Sequence, residues 1–230
     1  MTGDQLARHR RHNGRTQPQT ARALGVSQTY LSLLEAGKRP VTEVLHKKAV
    51  RVFGLPPTQL PADLEMPDVP TATDEQLTAD LAALGYKGFA HLRRSRLRNP
   101  AVVLLAALNA EKRDARVVEA LPWVVLTFPE IAWKRLFRMA KAYDLQNRLG
   151  YVVCLARQVA ERRGDTAAAM KLERHEMELY RSLLVREETL CNETMTNAER
   201  RWLATNRPEQ AKRWHLLTDL APQTLGYYDD

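Results

Sequence analysis

The chain has 230 residues, a mass of 26.2 kDa and a formal charge of +8. At 44% hydrophobic and 27% charged residues, its composition is that of one large or two small globular domains, not of a disordered or fibrous chain. The longest apolar run, Ala101 to Leu108, falls well short of the roughly 20 residues of a membrane helix, and no apolar segment of a secretory signal opens the chain, so a cytoplasmic protein with no membrane partner is expected.

The two cysteines, Cys154 and Cys191, sit in no CxxC or Cys/His cluster. A disulfide scaffold is excluded, and a zinc site has no support. The charge is unevenly placed. Residues 1–60 hold ten Lys/Arg and three acids, while the remainder holds 25 bases and 24 acids. A compact basic module beside a near-neutral body points to nucleic acid on the first part and to something else on the second.

The first clear element starts at Thr16, a helix cap with Gln19 at the capping-box position. Gly25 ends that helix, because the tight turn there needs a positive φ. Val26 then packs inward, Ser27 caps a second short helix from Gln28 to Glu35, and Gly37 ends it. Two short helices joined by a three-residue turn have the helix-turn-helix geometry. Such a module presents the N-terminal side chains of its second helix to base edges. Gln28 is the first candidate for readout, since its amide can bond adenine bidentately. Thr29 can offer a hydroxyl or a methyl, and Tyr30 and Ser32 lie toward the rim. Ser27 opens the helix. Gln17, in the first turn of the preceding helix, is placed to meet a phosphate. Lys38 and Arg39 are further phosphate partners, whereas Leu31 and Leu34 face the other way, into the core.

Five prolines between Leu55 and Thr71, interleaved with Asp63, Glu65 and Asp68, mark a boundary. The domains are therefore expected at 1–55 (DNA-binding), 56–72 (extended proline-rich linker) and 73–230 (helical dimerisation or partner-binding region). Beyond the linker the pattern reads as helical throughout. Thr73 and Gln76 form a capping box, Asn99-Pro100 starts a second helix, and Asn206 starts a late one. Leu77, Leu81 and Leu84 share a face, as do Val102, Leu105 and Leu108. Ile131, Leu136, Met139 and Ala140 fit a helix after Pro129. Val124–Phe128 can be drawn as a strand, but a lone strand has no partner, so a buried helix end or loop is preferred. A broad stripe runs from Leu149 to Ala160. After Arg163-Gly164 a further helix carries Met170, Leu172, Met177, Tyr180, Leu183 and Leu184 on its apolar side.

Three local features have weaker functional readings. Lys87 to Arg98 gathers Lys87, His91, Arg93, Arg94, Arg96 and Arg98, which reads mainly as a solvated basic face. His175-Glu176 has only half of a zinc-helix pattern, because position 179 is leucine. An enzyme built on His175, Glu176 or Glu178 is not expected, and no cofactor or metal is called for. The four tryptophans (Trp123, Trp133, Trp202, Trp214) read as core or interface.

The string Gln17…Ala21…Leu24-Gly25-Val26-Ser27…Leu31-Ser32…Leu34-Glu35…Gly37-Lys38-Arg39 resembles the XRE (Cro/repressor-type) helix-turn-helix family over residues 4–56. The resemblance implies a five-helix module within an all-α protein, with residues 27–35 as recognition helix. It also implies an ion pair between Arg10 and Glu35. His9, Arg15 and Thr20 depart from it, standing where that family places apolar residues, and Leu33 stands where a base is common. The expected function is a repressor that binds double-stranded operator DNA as a homodimer. The stretch from Pro122 to Leu155 resembles the C-terminal region of regulators paired with AbiEii-type nucleotidyltransferase toxins. That implies an antitoxin which represses its own operon and has a cognate toxin as protein partner. An alternative comes from Arg163-Gly164-Asp165…Ala169, which resembles one TPR-like helical hairpin and implies a peptide- or ligand-responsive regulator.

Overall fold

The computed structural model describes residues 1–62, 69–92 and 97–226. Asp63, Glu65, Pro67 and Asp68 of the proline-rich stretch, and Arg93, Arg94 and Arg96 of the basic cluster, lie outside the described residues. The chain is mostly helical and divides into two compact units, Met1–Ala62 and Asp63–Asp230.

The first unit contains α1 (Gly3–His12), α2 (Gln17–Leu24), α3 (Gln28–Glu35) and α4 (Glu43–Val52). Its fifth helical element is a single 3-10 turn, Pro57–Gln59. Each α-helix begins on a hydroxyl cap: Thr2, Thr16, Ser27 and Thr42. At Thr2 and Thr16 the cap is reciprocated by Gln5 and Gln19, so two of the orphan N–H groups at each helix start are satisfied locally. Leu6, Ala21, Leu24, Leu31, Leu34, Leu45, Ala49 and Phe53 form the core. Gly3 lets α1 approach α3, since a Cβ there would collide with the Leu34 carbonyl. The three residues that break the expected apolar pattern meet different surroundings. The His9 ring stacks on Phe53 at 6.2 Å. Arg15 offers its carbonyl to Arg10. Thr20 is fully buried, with no hydrogen-bond partner for its hydroxyl.

The second unit begins with α5 (Asp74–Leu84), capped by Thr73 and Gln76, and α6 (Pro100–Leu108), capped by Asn99. All of α6 except Val102 is buried. There follow α7 (Ala115–Thr127), α8 (Trp133–Ala142), α9 (Gln146–Arg162) and α10 (Thr166–Tyr180). Val124–Thr127 is the end of α7. The centre of the unit is α9, buried on all sides from Gln146 to Ala156. Gly150 is obligatory there, because the Trp214 ring occupies the space a Cβ would need. A turn at Gly164 (φ 74°) folds α10 back along α9.

The remainder departs from the uniformly helical expectation. β1 (Glu188–Thr189) and β2 (Leu216–Leu217) pair in parallel, with α11 (Asn197–Asn206) and α12 (Glu209–Arg213) between them. Cys191 and His215 take positive φ (59° and 56°), which a continuous helix does not allow. Three sequence expectations are corrected here. The helix from Asp165 does not run to Leu184. It ends at Tyr180, and Gln146 and Asn147 instead hold the main chain at Ser182 and Leu184. Met170, Met177 and Tyr180 are exposed on α10 and not core, as the alternation of α10 leaves only Ala169, Leu172, Glu176 and Leu179 facing inward. Asn206 is the last residue of α11 and not a cap; Pro208 precedes α12. Of the tryptophans, Trp214 is wholly buried and Trp133 nearly so, whereas Trp202 is 57% exposed.

Candidate nucleic-acid interface

The turn between α2 and α3 is fixed by its own hydrogen bonds. Gly25 adopts φ 70°, and the Val26 N–H reaches back to the Ala21 carbonyl at 2.9 Å, a Schellman-type ending that only a residue tolerant of positive φ supports. Ser27 Oγ accepts from the Tyr30 N–H at 3.1 Å and so caps α3. Lys48 Nζ donates to the Leu24 carbonyl at 3.3 Å, placing a cation at the negative end of the α2 dipole. Sequence reading missed Lys48, because a partner 24 positions away leaves no local signal.

On α3 the two faces separate cleanly. Leu31 and Leu34 have no exposure at all. Gln28, Thr29 and Ser32, one turn apart, are exposed on the other side together with Ser27. Tyr30 is half-buried and packs against the core, so only part of its ring is available outside. Lys38 and Arg39 are exposed in the turn that follows, and their N–H groups both bond the Leu33 carbonyl (2.9 and 3.2 Å).

Behind this face lies a charged clamp. Arg10 Nε and Nη2 donate to Glu35 Oε1 and Oε2 at 2.7 and 2.9 Å, and Arg10 Nη1 donates to the Arg15 carbonyl at 3.1 Å. The side chains are 14% and 7% exposed. Gln17 Nε2 adds a third donor to Glu35 Oε2 at 2.9 Å. The side-chain amide of Gln17 thus points into the clamp, and what it presents outward is the N-terminal turn of α2. Burial alone pushes the Glu35 carboxyl up, but the hydrogen bonds from Arg10 and Gln17 outweigh it and hold the group below the usual carboxylate range. The clamp joins the end of α1, the start of α2 and the end of α3, so it fixes the angle at which α3 is presented.

The weaker sequence candidates fall elsewhere. Arg98 donates to the buried carboxylate of Asp80 at 2.8 Å. His175 stacks on Trp133 at 4.1 Å, and burial lowers its pKa. Glu176 pairs with Arg157 at 2.7 Å, and Glu178 with Arg181 at 3.3 Å. These side chains serve packing and ion pairs.

Residues 3–62 match the family model described as a helix-turn-helix domain. Searches of curated proteins and of solved structures return no match. The matched segment takes in α1 to α4 and the 3-10 turn, and it points to a DNA-binding transcription regulator.

Proposed function

We propose that the chain is a sequence-specific repressor in which α3 enters the major groove of operator DNA. The observation that carries this reading is the clean division of α3: a polar, exposed N-terminal face on Ser27, Gln28, Thr29 and Ser32, backed by two fully buried leucines and the Arg10–Glu35 clamp. Gln28 reads a base through its bidentate amide. Thr29 offers its hydroxyl to a base edge or its methyl to a thymine methyl, while Tyr30 and Ser32 meet the groove rim. Lys38, Arg39 and the first turn of α2 at Gln17 take phosphates, which set register and carry no sequence information. The protein acts as a homodimer on two half-sites about 34 Å apart, with the dimer contacts in the second unit. It works as a binder and not as an enzyme.

The finer form of this reading is an antitoxin that represses its own operon, with a nucleotidyltransferase toxin as partner of the second unit. It rests on the resemblance of Pro122–Leu155, which spans the end of α7, α8 and most of α9. A toxin reading frame adjacent to this one is its simplest test. The ligand-responsive alternative rests on the α9–α10 hairpin alone, whereas a stable array takes at least three such repeats.

Gln28→Ala tests the readout. The substitution should weaken operator binding by about 1–3 kcal/mol and leave binding to random duplex nearly unchanged. An equal loss on both DNAs removes Gln28 as a reader.

A further inference from the structure

The second unit is close to neutral as a whole, yet one of its helices is not. α8 carries Lys134, Arg135, Arg138 and Lys141 and no acid. Its inner face is set by Trp133, Leu136, Met139 and Ala140, all buried. All four cations are exposed on the outer side. Among the described residues, Lys134 and Arg138 have no hydrogen-bond or ion-pair partner. Lys141 meets Glu178 only at 3.7 Å, with both side chains well exposed.

This arrangement works against the helix that bears it. Lys134 and Arg138, and Arg138 and Lys141, are like charges at spacings of four and three, which repel across one helix face. Lys134 and Arg135 also stand in the first turn, where the helix dipole disfavours cations, and α8 lacks a side-chain cap. α10, beside it, mixes Lys171, Glu173, Arg174 and Glu178 and pairs several of them. A local conflict of this kind is expected where a side-chain set serves binding and not stability. Lys134 to Lys141 spans about 10 Å of helix, a length that passes about three phosphates along one strand of duplex DNA.

We propose that the outer face of α8 is a second nucleic-acid contact: a ridge for duplex phosphates, carried by Lys134, Arg138 and Lys141. The inference rests on the DNA-binding reading of the first unit. A module that binds operator DNA holds the rest of its chain at raised effective concentration near phosphate, and a ridge of three exposed cations, two of them unpaired, is complementary to that polyanion. The ridge reads no sequence. It adds to the electrostatic share of binding, which grows with each phosphate neutralised.

The test uses the full chain and a random-sequence duplex, titrated against salt. Lys134→Gln/Arg138→Gln should reduce the slope of log affinity against log salt by about 1.8, so that the affinity lost between 50 and 200 mM salt shrinks by roughly tenfold. Lys134→Arg/Arg138→Lys, which keeps the charge, should retain the wild-type slope. An unchanged slope in the glutamine variant, with duplex binding intact, overturns the ridge alone and leaves α8 to an acidic protein surface. A wild-type chain that binds no duplex at all overturns both the ridge and the operator-binding reading.

Discussion

The two units solve the same problem, holding short helices together, by opposite means. In the first, the limits of each helix are set locally. Four hydroxyl caps, two capping boxes and four left-handed glycines (Gly14, Gly25, Gly37 and Gly54) define where each helix starts and stops, and a core of eight residues closes behind them. In the second, order is long-range. Arg148 reaches the Leu108 and Ala110 carbonyls, Asn147 exchanges two hydrogen bonds with Leu184, and the Tyr151 hydroxyl donates to the Leu220 carbonyl. The unit is built around a central helix whose buried polar residues tie down irregular chain on all sides. A small reading head needs defined helix angles more than a large core.

The comparison is broken most sharply at Arg148. Its Nη1 donates to the Leu108 carbonyl at the end of α6 and to the Ala110 carbonyl just beyond it, both at 2.9 Å, its Nη2 bonds Glu193 at 3.0 Å, and its Nε lies 3.4 Å from Glu188. Burial pushes the Glu188 carboxyl up, with Arg148 opposing it. Arg148→Ala strands these carbonyls and carboxylates, and the second unit should lose about 3–5 kcal/mol. Both cysteines lie in this unit, buried, with thiol pKa values pushed up to about 12 for Cys154 and about 11 for Cys191. In the wild type at pH 8 the thiols should therefore resist alkylation until the unit opens. Faster alkylation of Arg148→Ala, with the thermal unfolding of the first unit unchanged, is the expected result. An unchanged alkylation rate would show that the second unit does not depend on this hub.

The same difference explains what was legible in the sequence. The helix-turn-helix could be read because its determinants are neighbours: Thr16 with Gln19, Gly25 at a turn, Ser27 before an amphipathic run. Thr73 with Gln76 and Asn99-Pro100 were equally plain at the start of the second unit. The exit of the chain from α10 was not, because Leu183 and Leu184 continue the apolar spacing while Asn147, far back in sequence, takes the main chain at Leu184. The parallel pairing of Glu188–Thr189 with Leu216–Leu217 involves two residues on each side, too few for any period to show. At the candidate interface the exposed residues of α3 could be listed from spacing. The inward turn of the Gln17 amide could not, since it depends on where Glu35 arrives in space.

The first unit should break at its clamp. Glu35→Ala leaves the partly buried Arg10 without its bidentate partner, at a cost of about 3 kcal/mol. The effect should also depend on pH. The Glu35 pKa is depressed in the folded state, so its stabilisation is complete above the unfolded carboxylate pKa of roughly 4.3 and is lost as pH falls through the lower folded value. Thermal unfolding of the full chain between pH 7 and pH 3 should show the wild-type and Glu35→Ala first units converging at the acid end. A constant difference across that range would assign the loss to packing and not to charge.

The smallest effect sharpens the contrast from the other side, because it is a gain. Thr20 sits inside α2 with no exposure and no partner for its hydroxyl. Burying an unpaired hydroxyl is unfavourable, and valine keeps the branched shape while removing the polar atom. The helix propensities of the two residues are close, so the change tests desolvation and little else. Thr20→Val should raise the stability of the first unit by about 1 kcal/mol, or roughly 4–8 °C in its melting temperature for a unit of that size. The clamp and the outer face of α3 are untouched by the substitution, so affinity for DNA should not change. A destabilised variant would mean that the hydroxyl is satisfied after all, for example by an ordered water, and that the core of the reading head is better matched than its composition suggests.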